Sequence, residues 1–201
     1  MQKINFNDQC DLTNAVIYRI KTKTRRIEKG LELLNDINFV FENGQVKLYF
    51  DGSYHPSIIK PRYHVGEIVA VAQPYKDIAE NKYFINQCAA NEKCVAGMKY
   101  EAGWNNKLFV AAYYMPHRIR ITDIKVERLQ DISDDDCLSE GIVKTRYRDF
   151  PREMYLPLGF KKTEVSWTPQ GAFSMLIDKT CGKGTWAKNP FVFAYTFKLE
   201  D

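Results

Sequence analysis

The sequence predicts an α+β domain on three observations. Twelve Phe and twelve Tyr in 201 residues favour sheet over pure helix. Several short apolar and aromatic runs are bounded by Gly, Pro or Asn, as strands are, whereas three other segments carry helix patterns or caps. With 45% hydrophobic and 27% charged residues, a chain of this length fits one self-sufficient domain and excludes disorder, collagen and coiled coil.

Taken in order, Leu12, Val16 and Ile20 fall at i, i+4 and i+8, with Ala15 alongside, and predict an amphipathic helix. It runs into the basic segment Lys21-Thr22-Lys23-Thr24-Arg25-Arg26. Ile37 to Phe41 and Val46 to Phe50 flank Asn43-Gly44, the strongest short-range hairpin signal. Asp51 to Pro61 reads as turn-rich, and Glu67 to Ala72, bounded by Gly66 and Pro74, as a core strand. Tyr75 to Asn91 has weak helical spacing without clear ends and reads as an insertion or lid. His117 to Leu129 alternates with one slip near Asp123, predicting a long bulged strand with Arg118 and Arg120 on one face. Ser133 caps a short helix whose first turn is Asp134-Asp135-Asp136, whose last turn holds Glu140, and which Gly141 ends. Thr168-Pro169 starts a second helix, with Ala172, Phe173, Leu176 and Ile177 on one face and Gly182 past its end. Phe191 to Phe197 is an aromatic strand suited to the middle of a sheet.

Several function classes drop out. The nucleophile elbow, Walker loop, dinucleotide glycine fingerprint and HExxH motif are all missing, and no cofactor motif is found. Gly182-Lys183-Gly184-Thr185 follows a helix rather than a strand and reads as a plain turn. His55, His64 and His117 lie in separate segments, so no metal site is expected. Five scattered cysteines without a CxxC pair predict reduced thiols. The lack of a long apolar run or signal segment leads to the expectation of a cytoplasmic protein without a membrane partner.

A formal charge of +4 permits nucleic-acid binding without demanding it, so charge placement decides. The four cations and two hydroxyls of Lys21 to Arg26 suit phosphate oxygens, and equally a solvated surface run.

That segment also carries a resemblance. Lys21, Thr22, Thr24 and Arg26 match the G-x-K-T-x-T-x-R pattern at the first helix end of ASCH domains, a branch of the PUA-like superfamily. Pro61-Arg62-Tyr63 to Ile68, Met115-Pro116 with Arg118, Val126 to Ser133, Glu140-Gly141-Ile142, and Trp186 to Phe197 resemble later family segments in the right order, as in its larger phage and bacterial members. Arg19 stands where the family has its glycine, and Leu31 to Ile59 and Lys76 to Ala102 are less covered. The resemblance implies a PUA-like mixed β-barrel flanked by short helices, with a cleft between them. It implies one domain over 1–201, with a hairpin insertion at about 35–52 and a second insertion at about 75–103.

Two functions follow as expectations from the family, and a third from the chain's own surface. The first is an RNA or nucleotide-binding module in which Lys21, Lys23, Arg25, Arg26, Arg118 and Arg120 contact phosphate while Trp104 and Tyr114 stack on bases. The second is an enzyme, either a nuclease or an amidohydrolase of acylated nucleosides, the latter because relatives cleave acetylated cytidine with a lysine, a threonine and a glutamate that correspond to Lys21, Thr24 and Glu140. A lysine of lowered pKa, with Arg25 and Arg26 holding it low, would activate the Thr24 hydroxyl, and Glu140 would orient the lysine or protonate the leaving amine. The third is an interaction adaptor using the Tyr75 to Ala102 insertion.

Overall fold

The computed structural model describes residues 1–35, 38–50, 53–146 and 152–200. Its architecture is α+β: a five-stranded mixed sheet, a three-stranded sheet, a two-stranded ribbon and short helices.

The main sheet has the order β1 (Lys3–Ile4), β6 (Ile68–Val71), β7 (Arg118–Arg128), β10 (Phe191–Leu199), β2 (Lys23–Arg26). Only the β1–β6 pair is parallel. Aromatic β10 sits between β7 and β2, the inner position its composition suits. The slip expected near Asp123 is a bulge: Thr196 pairs Asp123 and Phe197 pairs Ile121, leaving Thr122 as the extra residue. Among the described residues the ladder stops at β1 on one edge and β2 on the other, without closing.

Helix α1 (Leu12–Ile17) is shorter than its stripe suggests, and Ile20, read as its third apolar position, lies exposed past the end. Arg19 takes the left-handed φ of 61°, and the amides of Ile20 and Lys21 then turn back to the Ala15 carbonyl at 2.8 and 2.9 Å. A glycine normally occupies such a helix-ending position. The basic segment continues as edge strand β2 rather than as loop, since its amides and carbonyls pair with Phe193 to Thr196.

The hairpin forms from β3 (Asn38–Glu42) and β4 (Gln45–Phe50), with Asn43 at φ 51° and Gly44 at φ 70° as a primed turn requires. Ile37 and Asp51, ascribed to the first strand and to the turn-rich stretch, lie outside the described residues. That stretch is corrected otherwise: Ser53–Ile59 is a third strand, β5, paired to β4. Pro56 concealed it, and the strand accommodates Pro56 at an edge where the register slips between the pairs Lys47–Ile58 and Leu48–His55. Phe39 and Phe41 of this sheet meet Phe191 and Phe193 of β10 at ring distances of 5.2 and 6.4 Å.

The stretch expected as a lid has its own core. Helices α2 (Tyr75–Ile78) and α3 (Lys82–Ala90), then four 3-10 turns, bury Tyr75, Ile78, Phe84, Cys88, Met98, Val110, Tyr114 and Met115 together. The Asn81 side chain caps α3 by accepting the Tyr83 amide at 2.9 Å. Its ends escaped notice because the helix is short and its apolar spacing weak.

Ser133 accepts the Asp136 amide at the start of α4 (Asp134–Ser139), and Thr168 accepts the Gly171 amide at the start of α5 (Pro169–Cys181), as the sequence indicates. Between them lies a ribbon, β8 (Ile142–Thr145) with β9 (Met154–Pro157). The turn after α5 leads into one helical turn, α6 (Thr185–Lys188). Its Gly184 and Trp186 amides are taken by the Asp178 carboxylate at 3.0 and 2.9 Å. Among the described residues no helix is long and apolar enough to cross a membrane.

Candidate functional site

Alternation along β2 sorts the basic segment into two groups. Lys23 and Arg25 reach α4 and β7: Lys23 donates to Asp136, while Arg25 contacts Asp136 at 2.7 Å, Glu127 at 2.6 Å and Glu140 at 3.2 Å. Thr24 and Arg26 line a cleft of about 530 Å³ with Asn5, Phe6, Asn7, Leu12, Ile27, Glu28, Arg62, Thr180 and Cys181, and Arg25 borders it as well. The cleft therefore sits where the two free sheet edges approach each other, between the residues following β1 and those of β2. Arg26 bridges them by donating to the Asn5 carbonyl at 2.6 Å.

Lys21 lies beneath this arrangement, only 2% exposed, and Glu140 is 3% exposed. The ammonium donates to the Glu140 carbonyl at 2.9 Å and to its carboxylate, and lies 5.9 Å from the Phe6 ring centroid. Burial lowers the Lys21 pKa; Glu140 opposes that shift, and Arg26 and Arg25 reinforce it. The Lys21 backbone is set by the helix-ending turn, and the neighbouring Thr22 amide donates to Ser139 at 2.8 Å, which ties the end of α4 to the segment.

Arg26 also lies 5.6 Å from the Phe6 ring centroid, and among the described residues its buried Nε–H meets no acceptor. Also on the cleft, the Glu28 carboxylate accepts the Tyr195 hydroxyl at 2.7 Å and the Arg62 amide at 2.9 Å. Burial, followed by Glu28, pushes the Tyr195 pKa well up, so the phenol stays protonated as a donor.

The structure thus brings Lys21, Glu140 and Arg25 into one buried network, with Thr24 and Arg26 on the adjoining cleft. Lys23 joins that network through Asp136, whereas Arg118, Arg120, Trp104 and Tyr114 make their contacts elsewhere. Arg118 stacks on Tyr83 at 4.9 Å and donates to its hydroxyl, and Arg120 pairs with Glu200 at 2.9 Å. Trp104 packs half-buried on the second core with Lys99 at 5.9 Å from its ring. Tyr114, assigned to base stacking, is a core residue wedged against Phe84 and Tyr75 at 5.6 and 5.9 Å, so neither ring face is open.

Sequence reasoning missed the acidic side. Asp136 was visible only as a first-turn acid of α4, and Glu127 as a strand residue. It also missed Asn5, Phe6, Glu28 and Arg62 on the cleft; of these only Arg62 carried a signal, as part of Pro61-Arg62-Tyr63.

No protein-family model, curated protein or solved structure matches this chain.

Proposed function

We propose that the chain binds a nucleotide or modified nucleoside in the cleft between its sheet edges, and that the open sheet is a PUA-like barrel of the ASCH type. The observation that carries this reading is the sorting of charge along β2. Lys21, Lys23 and Arg25 are neutralised by Glu140, Asp136 and Glu127, whereas Arg26 beside Thr24 faces a cavity within the usual size range for a small ligand. With so few cations left unpaired there, the cleft suits one nucleotide better than a long strand, which needs a continuous basic track. The near closure of the sheet through Arg26 and Asn5 supports the barrel.

The test is titration of labelled single-stranded RNA, and of free ribonucleotides and nucleosides, against the wild type and Arg26→Gln at two salt concentrations. Binding confined to about one or two phosphates gives a log-log salt slope between roughly −0.7 and −1.4. A slope several times steeper, or binding indifferent to Arg26→Gln, removes this reading.

A second reading, hydrolysis of an acylated nucleoside, is favoured by one further observation: a buried lysine of lowered pKa lies three residues from a threonine on the cleft. The Thr24 oxygen would attack the acyl carbon as its proton passes to Lys21, acting as the base. The C–N bond then breaks, that proton leaves with the amine, and water releases the acyl group from Thr24. Incubation with N4-acetylcytidine should release cytidine and acetate, and Thr24→Ala should abolish turnover while leaving binding largely intact. Equal turnover in that variant eliminates Thr24 as the nucleophile.

A further inference from the structure

We propose that Arg26 and Arg62 form a subsite for the phosphate of the bound nucleotide, so that the preferred ligand carries a terminal phosphate monoester. This rests on the nucleotide reading of the cleft and specifies which residues hold the ligand's phosphate.

Three observations converge. Among the described residues the buried Arg26 Nε–H has no acceptor, and the guanidinium's only hydrogen-bond acceptor is the neutral Asn5 carbonyl. Arg62, exposed on the same cleft, meets no carboxylate among the described residues; its guanidinium lies over the Tyr63 ring at 5.6 Å. Glu28, the carboxylate on this cleft, accepts the Tyr195 hydroxyl and the Arg62 backbone amide rather than a guanidinium. Two guanidinium groups that line one cleft and meet no carboxylate among the described residues suit an anionic oxygen acceptor, and guanidinium forks match phosphate oxygens in geometry and charge. On a nucleotide that acceptor is the phosphate. Arg25 cannot share this role, because three carboxylates already hold it.

The experiment is calorimetric titration of the full chain with the four ribonucleoside 5′-monophosphates and the four matching nucleosides, repeated on Arg62→Gln. Arg62 is exposed, so that variant should fold; Arg26→Gln, which also loses the tie to Asn5, serves as the second variant. The phosphate should strengthen wild-type binding about tenfold or more, and that advantage should collapse in Arg62→Gln. A trinucleotide with and without a 5′-phosphate separates the two sources of the group. A phosphate-dependent gain for the trinucleotide supports an RNA end as ligand, and a gain only for the mononucleotides supports a free nucleotide. Cys181 supplies an independent readout: it is exposed on the cleft, whereas exposed Cys94 lies in the second core's segment. Bound nucleotide should slow iodoacetamide alkylation at Cys181 and leave Cys94 unchanged. Nucleosides that bind as tightly as their monophosphates would overturn the phosphate subsite while leaving the nucleotide cleft standing. No binding by any of these ligands overturns both.

Discussion

Lys21 and Glu140 show how one buried residue can depend on another far along the chain. An ammonium removed from water is tolerable only beside a countercharge, and here that charge also holds Arg25. Glu140→Ala would leave both cations short of a partner and should cost about 3–5 kcal/mol by urea denaturation. Combining Lys21→Met with Glu140→Leu should recover most of that loss, because an apolar pair of similar volume needs no compensation. A Glu140→Ala cost below about 1 kcal/mol would show that the network carries little energy. Asp136 adds a pH dependence. Burial pushes its carboxyl up, but hydrogen bonds from Lys23 and Arg25 outweigh burial and hold it below its ordinary value of 3.8. A carboxyl lowered in the folded state contributes stability above its unfolded value and loses it as pH falls through the folded one. The stability gap between wild type and Asp136→Asn, measured by denaturant titration across pH, should therefore be full near neutrality and shrink below about pH 3.8.

At the scale of elements, the ends of helices and the ties between segments shape the cleft. The end of α1 requires a left-handed residue to send the chain toward Lys21, and Arg19 fills that position at φ 61°. The strain of an L side chain there is about 1–2 kcal/mol, partly offset by the greater freedom of glycine when unfolded. Arg19→Gly should accordingly stabilise the protein by roughly 0.5–1 kcal/mol in thermal or urea unfolding. The cleft's other lip depends on the segment carrying the second core. Lys107 donates to the Phe6 carbonyl at 2.5 Å and to Asp8 at 2.6 Å, and Lys3 donates back to the carbonyls of Leu108 and Val110 at 2.9 and 2.6 Å. These reciprocal lysines clamp the segment onto the loop that supplies Asn5, Phe6 and Asn7. Lys107→Met should raise amide hydrogen exchange over residues 5–10 about tenfold while α5 keeps its protection. Unchanged exchange in that loop would mean that the lip is held without the clamp.

At the scale of the whole molecule, the main sheet is a layer whose two edges come together without pairing, and the gap between them becomes the cleft. The three-stranded sheet adds Phe39 and Phe41 against β10, and α4 lies over the face of β2 that presents Lys23 and Arg25. A ligand joining both edges binds only the folded chain. At about one hundred times its Kd, a nucleoside monophosphate should therefore add about 2.7 kcal/mol of stability and raise Tm by roughly 5–10 °C. A scanning calorimetry series in the nucleotide that shows no concentration-dependent shift would speak against a cleft occupant that holds both edges.

What the sequence determined by itself is local. The Asn43-Gly44 turn, the Ser133 and Thr168 caps, the core strand β6, the bulge in β7 and the central aromatic strand β10 were legible because each depends on residues within a few positions of one another. Strand β5 was not, since Pro56 is tolerated only because β5 falls on an edge. The cations of Lys21 to Arg26 were visible as a run, yet nothing in the run told which of them remain free. That was decided by tertiary structure, which brings Glu127, Asp136 and Glu140 from more than one hundred positions away onto three of the cations. It leaves Arg26 on β2, an edge of the main sheet among the described residues, lining one cleft with Arg62. The physical reason is that a charge becomes available to a ligand only when folding provides it with no carboxylate, and the fold sets that pairing over distances that local sequence patterns do not span.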